Sequence, residues 1–336
     1  MPTAARRVAR IAVLIGLGVF LANLAVEYGA VEKIAGVSRY LTGPANLPDE
    51  VGTAILTTAA STTAGYGMLA DFRESGRLSD RATLVAVTIN TFFGFTQHVF
   101  TFYVPVLIPI LGPDVGVLYV GTRGGIALGI SLVGVLAGAV LLSDGDVDES
   151  VTVETESDSD PETDPETAPD GGTEGSDGTD ETGEGDEETE PGAVAAAWAS
   201  TASKLRRIVP RLAAVYLLVT VLAAAELFRS LSAAAGPLAE VTGLPAAAVP
   251  VIVVFAFDTT AGAATVAPLI GDTLTVDQAV VTMLLGGIVT FAVSTFKRSI
   301  PFQYGIWGAS FGSKVIVVNT VLKVVFISAA VVAFLV

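Results

Sequence analysis

Eight apolar runs, each near the roughly 20 residues that a helix needs to cross a bilayer, leave this chain few soluble folds to adopt. They lie at about Val8–Val26, Val51–Ala70, Ala82–Leu111, Val115–Leu142, Leu212–Phe228, Ala246–Ile270, Ala279–Phe296 and Val315–Val336. With 51% hydrophobic residues over 336 positions, the expected fold class is all-α. The expectation is a polytopic transmembrane helical bundle of about eight spans, because only helices satisfy their own backbone within a lipid-facing run of this kind.

Between the fourth and fifth runs the composition reverses. Asp144 to Glu190 holds 21 acidic residues and no Lys or Arg. Ser143–Gly192 has no aromatic residue and no periodicity, so it buries too little to offset chain entropy and reads as a disordered acidic linker. The other 13 acids face all 18 basic residues, leaving the remainder at +5 and suited to an anionic lipid surface. A soluble segment this acidic, in a chain without cysteine, suggests a halophilic source. The absence of cysteine also excludes disulfides and thiolate metal sites. His98, the one histidine, leaves little room for a histidine metal site or a triad. No metal or other cofactor is expected.

The linker divides the chain into 1–142 and 193–336, and these look like two copies of one unit. S-T-T-A-G at Ser61–Gly65 returns as D-T-T-A-G at Asp258–Gly262, 197 positions later. Leu47-Pro48 and Asp80-Arg81-Ala82 return at the same offset, as Leu244-Pro245 and Asp277-Gln278-Ala279. Pro105, Gly112 and Gly116 return 196 positions on as Pro301, Gly308 and Gly312. A basic cluster, an apolar run and a glutamate (Glu27, then Glu226) open each half. The mid-chain repetition favours a retained first span over a cleaved signal peptide.

Four spans per half and a cytoplasmic N-terminus place ten basic residues inside against Lys33, Arg39 and Arg229 outside. That makes the halves parallel, with both termini and the linker cytoplasmic at a cell membrane. Ala82–Leu111 is long for one crossing and carries Asn90, Gly94, Gln97, His98, Pro105 and Pro109. One crossing broken near Gly94–Pro105 fits the charges.

Asp258 is the sharpest candidate for chemistry. A mid-span carboxylate costs roughly 2.5–3.5 kcal/mol on insertion scales, so it faces a partner, a bundle interior or water. With Thr259, Thr260 and a run of small residues it suits a helix break that offers backbone to a ligand. The alternative is a small-residue packing face with threonines bonded to their own helix. Ser61, Thr62 and Thr63 are the first-half counterparts, expected to face Asp258, Thr259 and Thr260 across a site between the halves. Gln97, His98, Lys297, Arg298 and Gln303 are candidate supporting groups, Lys297 and Arg298 having snorkelling as their alternative. Asn90 and Asn319 serve equally as polar lining or interhelical glue. The Gly-rich stretches at 121–125 and 304–308 follow no strand, so no nucleotide loop is read and no nucleic-acid partner is expected. Glu27, Glu226, Arg123, Lys314 and Lys323 suggest no role.

The stretch Leu47–Leu142 resembles the Gate, or nucleoside-recognition, domain of integral membrane proteins. The likeness rests on S-T-T-A-G, the loop F-R-E-S-G-R-L-S-D and a long span ending P-V-L-I-P-I-L-G-P. Leu244–Val336 repeats it with D-T-T-A-G, G-D-T-L-T-V-D and S-I-P-F-Q-Y-G-I-W-G. The resemblance implies a transporter or permease with two Gate-like repeats and broken helices, moving a small polar solute or ion, a nucleoside among the candidates. Iron fits poorly, since the cysteine of related iron pores is missing. The competing reading is a non-transporting scaffold, or a subunit of an oligomer or hetero-complex. No nucleophile–base pair or carboxylate dyad suggests an enzyme.

Overall fold

The computed structural model describes residues 42–148, 150–151, 243–295 and 299–336, with Val13, Phe20 and Tyr40 besides. The expected span Val8–Val26 (Val13 and Phe20 apart), the span Leu212–Phe228, nearly all of the linker, and Lys297 with Arg298 lie outside those residues. Among the described residues the fold is helical, with no strand beyond two isolated bridges. In chain order the helices are α1 (Asp49–Ala60), α2 (Thr62–Glu74), α3 (Asp80–Ile89), α4 (Thr91–His98), a π-helical segment (Val99–Leu107), α5 (Ile108–Leu111) and α6 (Pro113–Leu141). After the linker come α7 (Ala248–Phe257), α8 (Thr259–Val266), α9 (Val276–Ser294) and α10 (Ile300–Leu335).

Three stretches are long and apolar enough to cross a membrane: Asp80–Leu111, Pro113–Leu141 and Ile300–Leu335. Their outer faces agree. Leu128, Leu132, Leu136 and Val140 form an exposed row along α6, and Val317, Val321 and Val325 form one along α10. Four-residue spacing keeps each row on one helical face. Apolar rows this long suit contact with lipid rather than water.

Val51–Ala70 does not form the single helix its apolar length suggests. It folds into a hairpin whose tip is Ser61. A Cβ built on Gly65 would lie 2.0 Å from Thr58 Oγ1, 2.6 Å from Thr58 N and 2.7 Å from Ala54 O. Residues seven and eleven apart cannot meet this way along a straight helix, where the rise is about 1.5 Å per residue. The chain therefore doubles back, and only glycine lets the two backbones approach so closely. Gly262 repeats the device against Phe255, where an added Cβ would lie 2.6 Å from Phe255 Cα. Arms of 8 to 13 residues are roughly 12–20 Å long, short of the ~30 Å hydrocarbon core.

Side chains satisfy the peptide groups freed at the tips. Ser61 and Asp258 both leave helical geometry, with φ/ψ of −139°/111° and −151°/119°. Each caps the following arm: Ala64 N–H donates to Ser61 Oγ at 3.3 Å, and Ala261 N–H donates to Asp258 Oδ1 at 2.5 Å. Capping by Ser and Asp is the ordinary use of these residues at a helix start. Three further pairs share a left-handed conformation: Asn46 and Gly243, Gly76 and Gly271, and Gly112 and Gly308. Their spacings are 197, 195 and 196 positions, and Gly112 (84°/163°) and Gly308 (72°/162°) agree in both angles.

Asp80–Leu111 is one helical run of 32 residues with two irregularities. It turns at Asn90, and it widens into the π segment around Pro105, which has no N–H to donate and whose ring crowds the preceding turn. The first irregularity is held from outside. Ser131 Oγ on α6 donates to Ile89 O at 2.7 Å and accepts from Phe92 N–H at 3.1 Å.

The two halves complete one another's cores. One core joins α7, α8 and α9 to Tyr103, Leu111, Val115 and Tyr119 of the first half. The other joins α1, α2 and α3 to Trp307, Phe311 and Val315 of α10. α8 packs on α5 and the π segment, so the end of the first long helix lies near the start of α9. Lys314, just past the Gly308 kink, bonds to Asp80 at the start of α3. These contacts set the Asp80–Leu111 run antiparallel to α9 and the first turns of α10. The root of the linker lies at the Asp80 end, where Asp148 N–H donates to Arg77 O, Ser79 N–H donates to Asp146 O, and Arg77 Nη1 donates to Asp148 O and Val151 O. α10 leaves that end and runs on to Leu335.

Gly65→Ala should lower the thermal unfolding midpoint in detergent, by the equivalent of about 1–3 kcal/mol for a forced overpacking. Gly67→Ala, where nothing lies within 4 Å of the added carbon, should leave it unchanged or slightly raised. Equal responses would refute the tight hairpin.

Candidate functional site

A cavity of about 90 Å³ opens where the first hairpin, the broken long helix and α10 meet. Thr62 and Tyr66 of α2 form one wall, and Asn90, Gly94 and His98 a second. Arg123 and Ala127 come from α6, Phe291 from α9, and Asn319 and Lys323 from α10. Both halves therefore contribute. At some 10–15 Å³ of such volume per water, the space takes a few waters or a solute of few heavy atoms.

Asn90 has the least ordinary environment in this wall. It is 1% exposed, and neither Oδ1 nor Nδ2 has a hydrogen-bond partner among the described residues. A buried amide left unmade costs about 1–3 kcal/mol per group. Its own backbone stays helical, Asn90 N–H donating to Ala86 O and Gly94 N–H to Asn90 O, while Ser131 satisfies the neighbouring Ile89 and Phe92 peptide groups. Nothing local requires an amide side chain there. Asn319 Oδ1, in the same cavity, is likewise buried and without a partner among the described residues.

Thr62, the residue after the hairpin tip, reaches the cavity and donates its hydroxyl to Gln97 Oε1 at 2.6 Å, both side chains being buried. Gln97 thus supports Thr62, and His98 joins the lining. Ser61 and Thr63 are exposed, the first spent on its cap. At the other tip, Asp258 is half-buried and bonded to Ala261 N–H. Thr259 and Thr260 are buried beside it, and Thr260 Oγ1 has no partner among the described residues. The expected meeting of the two tips is not what forms the cavity, whose lining includes Thr62 but not Asp258, Thr259 or Thr260. Asp258 caps α8 through its bond to Ala261 N–H, and of the two tips it is the first that borders this cavity, through Thr62. Gln303 lines a smaller space of about 30 Å³ that adjoins the first through Phe291, Asn319 and Lys323. Among the described residues no group of three His, Asp or Glu side chains is placed to hold a metal.

Arg123 and Lys323 are the charged lining residues to which the sequence suggested no role. They flank Phe291, the Arg123 guanidinium carbon 5.9 Å and Lys323 Nζ 5.2 Å from the ring centroid, in cation–π range. The available signal was depth. Each stands eight residues into an apolar run, where a basic side chain points to a bundle interior or an aqueous path.

Asn90→Leu separates a ligand-binding amide from a structural one. Removing two unpartnered polar atoms in favour of an apolar group of similar size should raise the thermal midpoint of the solute-free protein. A midpoint lowered by several degrees would identify Asn90 as a structural residue.

No protein-family model matches the chain, and no solved structure matches it. It is similar to three uncharacterized proteins of Methanocaldococcus jannaschii. One is 22% identical over 325 residues, covering 94% of this chain and 93% of the relative. Two match shorter stretches: 30% identity over 135 residues, 40% of this chain and 42% of the relative, and 28% over 103 residues, 31% and 32%. In those two comparisons the match spans less than half the relative's length.

Proposed function

We propose that this protein is an integral membrane transporter or permease, and that its solute site is the cavity bounded by Thr62, Asn90, Arg123, Phe291, Asn319 and Lys323. The observation that carries the reading is the Asn90 amide, buried in a cavity wall with donor and acceptor both unused. Such a residue destabilises the empty protein and becomes favourable when a solute supplies the missing bonds. The solute class is small and polar, with hydrogen-bonding groups that an amide can match. Nucleosides belong among the candidates through the resemblance to Gate domains, and a nucleoside would require the cavity to widen beyond its present 90 Å³.

The halves, in this reading, are copies of one unit inserted in opposite senses. Three facts support it: the paired φ/ψ values at fixed spacing, the reciprocal cores and the antiparallel setting of the Asp80–Leu111 run against α9. Hairpins too short to cross remove one crossing from each half. That replaces the parallel arrangement expected from eight straight spans by an inverted one. The connecting loops carry matching charge. Arg73, Arg77 and Arg81 gather at the first hairpin base, whereas Asp272 and Asp277 stand at the second. By the positive-inside rule the Arg-rich end is cytoplasmic, which puts the linker root inside and the C-terminus outside. Inverted repeats with polar, broken elements near the midplane are the usual architecture for alternating access.

Uptake into proteoliposomes, across nucleosides, nucleobases, small polar metabolites and monovalent ions, tests the function. Wild-type protein should accumulate at least one class above protein-free liposomes. Asn90→Leu should reduce that uptake about tenfold, the equivalent of roughly 1.4 kcal/mol, while Asp258→Asn, which keeps a capping oxygen, should retain most of it. No uptake of any class, together with co-purification of a fixed partner, would favour the scaffold reading.

A further inference from the structure

A column of side chains runs from the cavity wall to the Arg-rich end of the bundle. Tyr66, part of the cavity wall, contacts Phe302 and Trp307, with centroid separations of 5.7 and 6.0 Å. Trp307 packs edge-on against Phe311 at 5.4 Å. The Arg73 guanidinium lies 4.2 Å above the Phe311 ring, close enough for a firm cation–π contact. Arg73 Nε and Lys314 Nζ then donate to the two oxygens of Asp80, each at 2.8 Å. Along α2 the distance from Thr62 to Arg73 is roughly 16 Å.

The column changes character along its length. Tyr66, Trp307 and Phe311 are buried, at 7%, 5% and 1% exposure. The side chains of Arg73, Asp80 and Lys314 are 25%, 46% and 52% exposed. A buried aromatic plug is thus tied at its outer end by ions that water reaches. The tie also crosses the joint between the halves, since Arg73 and Asp80 belong to α2 and α3, and Lys314 to α10. At the position corresponding to Lys314 in the first half stands Leu118, so that position carries no cation.

We propose that Arg73, Asp80 and Lys314 form an ionic latch that holds the aromatic plug shut. In this conformation the cavity is closed toward the Arg-rich face, and opening that face requires the Asp80–Lys314 contact to break. Exposed ion pairs are weak and salt-screened, which suits a contact remade in every cycle. The closed position is set by the buried aromatic packing, and the latch biases the balance between closed and open.

The inference rests on the cavity being the solute site, but its test needs no transported solute. The chain has no cysteine, so Ala127→Cys places one thiol in the cavity wall. Its reaction with a membrane-impermeant thiol reagent is measured from each face of oriented vesicles. With the latch intact, labelling from the Arg-rich face should be slow. Lys314→Met should speed it by about fivefold, the shift expected when a surface-strength ion pair is lost, and from that face only. Lys314→Arg should restore slow labelling. An unchanged rate in Lys314→Met, or an equal rise from both faces, would overturn the latch. Uptake that fails while labelling responds as expected would count against the transport reading and leave the latch standing.

Discussion

A helix that turns back inside a bilayer leaves peptide groups at its tip that lipid will not bond, and this structure is organised around meeting that demand twice. Ser61 and Asp258 do it chemically, each offering a side-chain oxygen to an N–H three residues on. Gly65 and Gly262 do it geometrically, by letting each second arm lie directly on the backbone of the first. Thr290 Oγ1, from α9, donates to Phe255 O at 3.0 Å beside the second tip. Once both hairpins are closed, their short arms must be covered by protein. Each is covered by helices of its own half, α4 for the first and α9 for the second, and completed by residues of the other half, so the two cores interlock.

The cavity lies beside the first of these tips. The long helix beside the first hairpin is irregular at Asn90, and Ser131 on α6 takes up the Ile89 carbonyl and the Phe92 N–H there. The backbone is thereby satisfied while the Asn90 side chain is not. Arg123 and Lys323 approach from α6 and α10, with Phe291 between them. Polar groups from both halves thus face one small space, and any relative movement of the halves reshapes it. That is the physical link from the hairpins to the transport function proposed for this chain.

Much of this was legible in the sequence, and the failures have definite causes. The correspondence of S-T-T-A-G with D-T-T-A-G marked both tips, and Gly112 with Gly308 marked both sharp turns. Pro105 marked the irregular part of the third run. Hydropathy did not reveal that Val51–Ala70 folds back, because twenty apolar residues look alike as one helix or as two arms of ten. The turning signal was Gly65 beside Thr58, a contact that exists only once the fold is known. The expected parallel orientation rests on counting that run as one crossing, and the inverted arrangement proposed above rests on counting it as none. Asp258 drew attention for its charge, and its bond to Ala261 N–H gives that carboxylate a local structural role. Asn90 was visible as a polar residue in an apolar run, but burial without a partner is a property of packing.

The central claim is that the two hairpins enter the membrane from opposite faces, with the polar cavity beside the tip of the first. Single cysteines at Ser75 and at Asp272, one beside each hairpin base in this cysteine-free chain, measure it directly. Labelled with an impermeant thiol reagent in oriented vesicles, the two positions should react from opposite sides. Reaction of both from the same side would contradict the inverted arrangement and restore the parallel one.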